Sequence, residues 1–591
     1  MSRRTRMLAQ LLPRNPFTVL IRTAAASSVL GLVLFGLSLK KVEHLPLDGT
    51  PLHVNADETY GYMRTLAKEF PYRLPWHENR VKAGEWLKGK FKEFGLEPKE
   101  MVCSEVVASK HYANERNIYA ELPGTDHPKE IVAVVAHYDT TDTTVEGAMD
   151  DAGGVAVVLE LAKIFAKEKP HRTLLFLCTD SEEFGAFWGA RTFAREYDRA
   201  DDIVAALNLD FPSVGKQIAI LSLYDGLKEG YTPLWFREIA LDSIRSVGGV
   251  EAREFSGFME FVERALLIPP SDHGALLAAG IPALNWVGQN EDFGKLMAQI
   301  HHTPKDVAEA LEVDTFRTYA GAAERLMRSV DHLPRIPADF RESRYFKVSD
   351  NYYIPGAVAT ILHILLFLPF LLFCLAKFGR TLVHRPWSRI VEVAENEAKG
   401  AFILIGALLV GYGLMRLLPE LKVITEYEVF PATQKSALLY NPDFVAILLV
   451  IGVTSGVYWA VRRVFTARND SVGFVEVRHA FHGVLMTLLI TAAFLKNSYL
   501  AVLLLLPPAY LWSFIKVGRG PQDRLVNLLL LLGGTITLVA LVVLMTTVFH
   551  VGVAYWYIFL SAAYGLFSAY AVVLFLVALA IMFRLFRSFV W

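Results

Sequence analysis

The sequence predicts an α/β domain, its mixed and largely parallel sheet flanked by helices, joined to an all-α transmembrane domain. Three observations carry this prediction. Hydrophobic residues make up 53 % of the 591, high for a chain that is soluble throughout. The excess gathers in residues 17–39 and 354–586 and leaves 42–350 charged and mixed. Inside that charged stretch, β-rich apolar runs alternate with amphipathic helical patterns, the rhythm of a parallel sheet with crossover helices. Three parts follow: residues 1–41 as cytoplasmic N-terminus and anchor, 42–345 as the soluble domain, and 354–591 as a seven-span membrane domain.

Taken in order, the anchor is the apolar stretch Phe17–Leu39, preceded by Arg3, Arg4, Arg6 and Arg14. It is long enough to span a bilayer, and the KKVEHL that follows lacks the small-residue pattern of a cleavage site. The soluble part then reads as IVAVVA (131–136), a helix from Ala152 to Lys167, TLLFLCT (173–179), a helix over 184–197 and IVAALNL (203–209). Seven further apolar segments come after residue 350, near 355–376, 400–418, 443–461, 479–495, 498–515, 525–549 and 555–583. With the anchor they make eight expected crossings of the lipid bilayer.

Charge sets the orientation. With the N-terminus inside, the inner loops carry Lys377, Arg380, Arg385 and Arg389, then Arg462, Arg463 and Arg468, then Lys516, Arg519 and Arg524, and finally Arg584 and Arg587. The outer loops are poor in Lys and Arg, and the longest holds Glu420, Glu426, Glu428 and Asp443. That alternation puts the soluble domain outside the cytoplasm. No acidic residue falls in the middle of a span, which disfavours an ion-coupled transporter; His363 and His482 read as helix-contact residues. A net charge of −1 without a basic aromatic stripe gives no reason to expect nucleic acid. Cys103, Cys178 and Cys374 are too scattered for a disulfide framework or a thiolate metal site.

Ligands of open α/β sheets collect at the carboxyl ends of the strands, and the acidic and imidazole residues fall there. His137 and Asp139 follow the first run, Asp180, Glu182 and Glu183 the second, and Asp210 the third. In GAMDDAGG (147–154) one of Asp150 and Asp151 suffices as a helix cap, which frees the other to bridge two metal ions. Of Glu182 and Glu183, one can bind metal while its neighbour serves as general base. His301 and His302 return a second imidazole from a distant loop. Two imidazoles and three carboxylates form an N/O set suited to a pair of zinc ions about 3.5–4 Å apart. His77-Glu78 is followed by Asn79, Arg80 and Val81, so an HExxH helix is absent, as is a GxSxG elbow.

These motifs resemble the two-zinc aminopeptidases and carboxypeptidases, a superfamily that includes glutaminyl cyclases and the non-catalytic ectodomains of transferrin receptor and nicastrin. NIYAELPG (117–124), HYD, GAMDDAGG, DSEEFGAFWGA, NLD, SDHGALLAAGIPAL and HHTPKD appear in family order over residues 55–335. The resemblance implies a zinc-exopeptidase-like fold with two Zn2+ per chain. It implies His137, Glu183, Asp210 and His302 as terminal ligands, Asp150 as the bridge, Glu182 as base and Asp139 as the residue that orients His137. His302 is chosen over His301 because the family ligand directly precedes the Thr/Ser-Pro step. Met149, Asp151, Phe187 and Trp188 depart from the usual pattern, and Asp272 and His273 take no fixed role.

The order of one span, soluble domain, then many spans is similar to the endoplasmic reticulum metallopeptidase and vacuolar membrane protease group. The resemblance implies peptide hydrolysis, an aminopeptidase foremost, with a glutaminyl cyclase or a non-catalytic receptor ectodomain as the alternatives. The only Asn-x-Ser/Thr site, Asn469, lies in an expected inner loop, and the outer domain has none. A bacterial inner membrane with the domain in the periplasm is the preferred setting, with a lumenal orientation in a eukaryote. A homo-oligomer is left open.

Overall fold

The computed structural model describes residues 15–74, 76–107, 110–141, 143–183, 187–211, 217–221, 231–265, 271–289, 299–421, 423–424, 443–465, 475–515, 520–547, 559, 562–563 and 569–589. Helix α1 (Pro16–Ser38) opens on Asn15, whose side chain accepts the Phe17 amide at 3.0 Å, with Pro16 at the first helical position. A two-residue strand, β1 (Lys40–Lys41), leads to helices α2 (Ala56–Glu69) and α3 (Glu78–Glu93). The hairpin β2 (Pro98–Val107) and β3 (Lys110–Leu122) precedes the parallel core.

That core is built from β4 (His127–His137), α4 (Gly153–Phe165), β5 (Arg172–Thr179), α5 (Trp188–Glu196) and β6 (Ile203–Asp210). Each expected run is found as the expected element within a few residues. Residues 184–186, where the second helix was expected to begin, lie outside the described residues. After β7 (Gln217–Leu221) come α6 (Leu234–Val247), β8 (Glu251–Arg253), α7 (Phe258–Ala265), α8 (Asp272–Ala278), β9 (Ala283–Gln289) and α9 (Val313–Asp331). Strand order is β2-β3-β5-β4-β6-β9-β7-β8, with β5, β4, β6 and β9 mutually parallel and antiparallel partners outside them. The mixed, largely parallel sheet expected from the sequence is therefore present.

Why these runs are strands follows from their burial on both faces. Along β4 and β5 the side chains alternate. Val132, Val134, Ala136, Leu174, Phe176 and Cys178 join the large core under α2, α4, α6 and α9. Ile131, Ala133, Val135, Leu175 and Leu177 join the smaller one beneath α5 and α8. Polar groups on these strands have no place to sit except the ends, and that is where they occur.

The domain closes on the hairpin β10 (Tyr345–Ser349) and β11 (Tyr352–Pro355), and β11 pairs with β1. The largely helical C-terminal region follows: α10 (Gly356–His384), α11 (Trp387–Glu420), α12 (Phe444–Phe465), α13 (Val475–Lys496), α14 (Leu506–Ser513), α15 (Pro521–Thr547) and α16 (Ala569–Phe589). Among the described residues, six helices are long and apolar enough to cross a membrane: Pro16–Ser38, Gly356–His384, Trp387–Glu420, Phe444–Val464, Glu476–Lys496 and Ala569–Phe586.

The expected count of eight is thus not supported in full. The segment expected to span at 498–515 contains a π turn at Ala501–Leu505 and ends as the eight-residue α14. Residues 548–558, which carry the end of one expected span and the start of the next, lie outside the described residues, as do Arg3, Arg4, Arg6, Arg14, Glu426, Glu428, Arg468, Asn469, Lys516 and Arg519. Helix α11 begins well before the expected 400–418 and carries Glu397 into the bundle, 2 % exposed.

Candidate metal centre

The parallel strands end level with one another. His137 at the end of β4 is opposite Thr179 at the end of β5, and Asp210 closes β6 beside Val287 of β9. Beyond that edge runs the turn 147–152, which carries the acidic pair into α4. Gly147 adopts φ +52°, and a Cβ there would come within 2.4 Å of Thr140 and 2.7 Å of the Asp150 carbonyl.

The two aspartates divide the work. Asp151 Oδ1 accepts the Gly154 amide at 2.9 Å, a helix cap. Asp150 faces the imidazoles. Its Oδ1 lies 3.1 Å from His137 Nε2, and its Oδ2 lies 2.8 Å from His302 Nε2 and 2.9 Å from His301 Nε2. His302 Nε2 is also 3.0 Å from Glu183 Oε2. His302 holds this place with φ +51°, its carbonyl accepting from the Thr143 hydroxyl at 2.8 Å.

Asp139 lies behind the cluster. Its two oxygens accept the amides of Glu182 and Glu183, each at 3.1 Å, and Oδ1 is 3.3 Å from His137 Nδ1. One carboxylate thereby sets both the imidazole and the turn that carries the glutamates. Donor atoms of His137, Asp150 and Asp210 lie within 4.8 Å of one another, as do those of His137, Glu182 and Glu183, and those of Asp150, His301 and His302. All seven sequence-chosen residues come together, and His301 joins them.

Electrostatics bear on what the cluster can hold. All these side chains are buried. Burial and the neighbouring carboxylates push Glu182 and Glu183 well above the usual range, and burial with Asp150 pushes Asp210 up to about 6. Against burial, His301 and His302 hold Asp150 well below its ordinary value. Against burial again, Glu182, Asp139 and Asp150 draw His137 well above its own. Glu183 Oε1 and His302 Nδ1 are buried without a hydrogen-bond partner. So much carboxylate charge in one dry volume calls for cations. Zinc holds N and O donors at about 2.0–2.2 Å in a tetrahedron, which sets neighbouring donors roughly 3.3 Å apart. The spacings of 2.8–3.1 Å between imidazole and carboxylate atoms fit that donor set.

Two residues that sequence reasoning left unassigned brace the centre. Asp306 is fully buried, and its two oxygens accept the amides of Met149 at 2.6 Å and Asp150 at 3.1 Å. It lies four residues past His302 in the HHTPKD segment, so one loop supplies an imidazole and also grips the bridging turn. Arg73, likewise fully buried, donates to the carbonyls of Tyr138 at 2.5 Å, Glu146 at 2.7 Å and Gly147 at 3.0 Å. The position of Asp306 in its motif was a usable signal, whereas Arg73 gave none. Asp180, expected on the same rim, turns away to pair with Arg80 and to accept the Tyr138 hydroxyl at 3.0 Å and the Arg116 amide at 2.8 Å. Asp272 accepts from the Thr179 hydroxyl, and burial pushes it up to about 7.

A parallel sheet with buried imidazoles and carboxylates along its carboxyl edge is the architecture of a metal-dependent hydrolase domain. Residues 117–327 match the model of Peptidase family M28, in line with the resemblance read from the motifs. The chain is 30 % identical over 254 residues to a probable zinc metalloprotease of Pyrenophora tritici-repentis, covering 36 % of this chain and 57 % of the relative. To one of Pyrenophora teres f. teres it is 30 % identical over 237 residues, covering 36 % and 49 %. A vacuolar membrane protease of Vanderwaltozyma polyspora is 27 % identical over 123 residues, 21 % of this chain and 13 % of that protein. The chain spans about half the length of the first curated relatives it matches.

Among solved structures, glutaminyl cyclase from Porphyromonas gingivalis aligns with 46 % of this chain and 97 % of its own at 19 % identity and TM-score 0.39. A zinc aminopeptidase from Bacillus subtilis aligns with 48 % and 96 % at 13 % identity and TM-score 0.38.

Proposed function

We propose that this chain is a membrane-held aminopeptidase with two zinc ions per chain, acting on peptides outside the cytoplasm. The observation that supports it best is the placement of Asp150. Each of its oxygens faces a different imidazole, at 3.1 Å and 2.8 Å, as a carboxylate bridging two cations requires. In this reading His137, Asp150, Glu183, Asp210 and His302 hold the metals. When bound, zinc supplies Lewis acidity that polarises a scissile carbonyl and acidifies water. The family match over 117–327 and the zinc metalloprotease relatives support the same chemistry.

The chain's own residues do the rest. Glu182, raised by burial and by Glu183, accepts the proton of the attacking water and returns it to the departing amine. Asp139 keeps Glu182 and Glu183 in place through their amides and orients His137. The domain organisation proposed is 1–41 as anchor, 42–345 as peptidase and 354–591 as membrane domain. The basic residues that end α10 and α12, Lys377, Arg380, Arg462 and Arg463, support an inward-facing end for those helices and hence an outward-facing peptidase. In a bacterium that places it in the periplasm.

Glu182→Gln tests the assignment. The variant should keep two zinc ions per chain by elemental analysis and lose roughly 10²–10⁴-fold in kcat on aminoacyl amides. Undiminished hydrolysis would refute the role of Glu182. Cyclisation of glutaminyl peptides with a single zinc per chain would favour the cyclase alternative.

A further inference from the structure

The membrane half carries a buried charge cluster that the metal centre does not use. Glu397 of α11 is 2 % exposed. Its Oε2 lies 2.6 Å from Arg584 Nη2 of α16 and 3.4 Å from His482 Nε2 of α13, and its Oε1 lies 3.3 Å from Arg478 Nε, also of α13. Nearby, Lys377 Nζ of α10 is 2.5 Å from His479 Nδ1, and the other ring nitrogen of His479 is 3.2 Å from the Trp512 carbonyl. That carbonyl requires a donor, so Nε2 carries the ring proton and Nδ1 accepts from Lys377; the imidazole is neutral.

Charge does not balance here. Arg478 and Arg584 share one carboxylate, Glu397, Lys377 faces the neutral His479, and Glu476 is engaged by Arg385. Among the described residues two positive charges are left over at this end of the helix bundle, where a partly desolvated ion without a counter-charge is costly. The sequence makes room for this arrangement. A Cβ on Gly400 would come within 2.0 Å of Arg584 Nη1, so the guanidinium lies against bare α11 backbone. Beside the cluster a small cleft has Phe370, Phe373 and Met486 on its apolar wall and Lys377, His479 and Ser513 on its polar one.

The cluster lies at the end of the bundle away from the peptidase domain. Asn497, just past the other end of α13, touches that domain through the Arg264 carbonyl at 2.8 Å, whereas Arg478 and His482 are in the first turns of the same helix. We propose that the cluster and its cleft bind the phosphate headgroup of an acidic phospholipid from the leaflet opposite the peptidase domain. A phosphodiester supplies the missing negative charge, and its acyl chains match the apolar wall, which free phosphate would leave bare. Basic pockets between membrane helices recognise acidic headgroups by this chemistry.

The test is lipid binding to the full chain in detergent, followed by native mass spectrometry and thermal unfolding. Two uncompensated charges, each worth about 1 kcal/mol toward an acidic headgroup, predict roughly a 30-fold preference for phosphatidylglycerol over phosphatidylcholine. Lys377→Gln should cut that preference to about fivefold and Lys377→Arg should retain it. A wild-type preference below about twofold, or a Lys377→Gln variant with the full preference, would overturn the proposal. Stabilisation by inorganic phosphate alone equal to that by phosphatidylglycerol would overturn the lipid as the occupant.

Discussion

Asp306→Asn removes half of the grip on the bridging turn. In the wild-type protein one oxygen takes the Met149 amide at 2.6 Å and the other the Asp150 amide at 3.1 Å, and the side chain is fully buried. Asparagine keeps one acceptor and points an NH2 at the other amide, so a donor faces a donor. A hydrogen bond to a charged acceptor contributes about 1.5–3 kcal/mol, and a buried amide left unpaired costs about 1–3 kcal/mol. Burial pushes Asp306 up to about 7, so near neutral pH it is only partly charged, and the low end applies: about 2 kcal/mol. If that strain falls on the position of Asp150, zinc affinity drops roughly 30-fold. Competition against a metal-sensing chelator measures it directly, and saturating zinc should restore most of kcat. An Asp306→Asn protein that binds zinc within about threefold of wild type would refute the reasoning.

Further outcomes follow from the same geometry. Burial raises Glu182 and Glu183, Asp210 to about 6, and Asp272 to about 7. Carboxyls raised by folding contribute stability that is full below the unfolded value near 4 and lost as pH rises through the folded values. Asp150, held low, and His273 and His301, lowered by burial, work in the opposite sense but are fewer. The unfolding midpoint of chelator-treated protein should therefore fall between about pH 5 and about pH 8, while zinc-loaded protein holds its midpoint; a rising apo profile would contradict this. Gly154→Ala sets a Cβ 2.4 Å from Asp151 Oδ2 and should destabilise the protein by about 1–3 kcal/mol, read by thermal unfolding. Asn497→Leu removes the donor to the Arg264 carbonyl and should lower the midpoint by an amount equivalent to about 1–3 kcal/mol with zinc content unchanged.

The sheet was legible because β4, β5 and β6 are buried on both faces and so are written as unbroken apolar runs. The centre was legible for the same reason: a strand without polar residues concentrates them where it stops. His137 and Asp210 mark those stops. What escaped was the bracing. Arg73 reaches its carbonyls across some 70 residues of chain, and its neighbours Tyr72 and Leu74 follow no helical or strand period. The residues alone left Asp150 and Asp151 open and the resemblance supplied Asp150; the turn at Gly147 is what turns that carboxylate toward the imidazoles. In the largely helical C-terminal region, composition located the helices but misjudged their ends. Glu392, Glu395 and Glu397 look like loop residues until α11 is seen to begin at Trp387 and to bury Glu397 against two arginines.

The pairing of β1 with β11 brings Lys40 opposite Tyr353 and Lys41 opposite Tyr352. The residues that leave α1 and those that enter α10 are thus stitched side by side, and the Val42 amide extends the seam to the Asn351 carbonyl at 2.9 Å. In architectural terms the 300-odd residues between them are an insertion between two long apolar helices, moored by two cables at one point. Cutting one cable would not set the cargo adrift. A protease nick between residues 42 and 345 should leave both halves sedimenting with the membrane, and the moored domain can swing only as far as that paired stem allows.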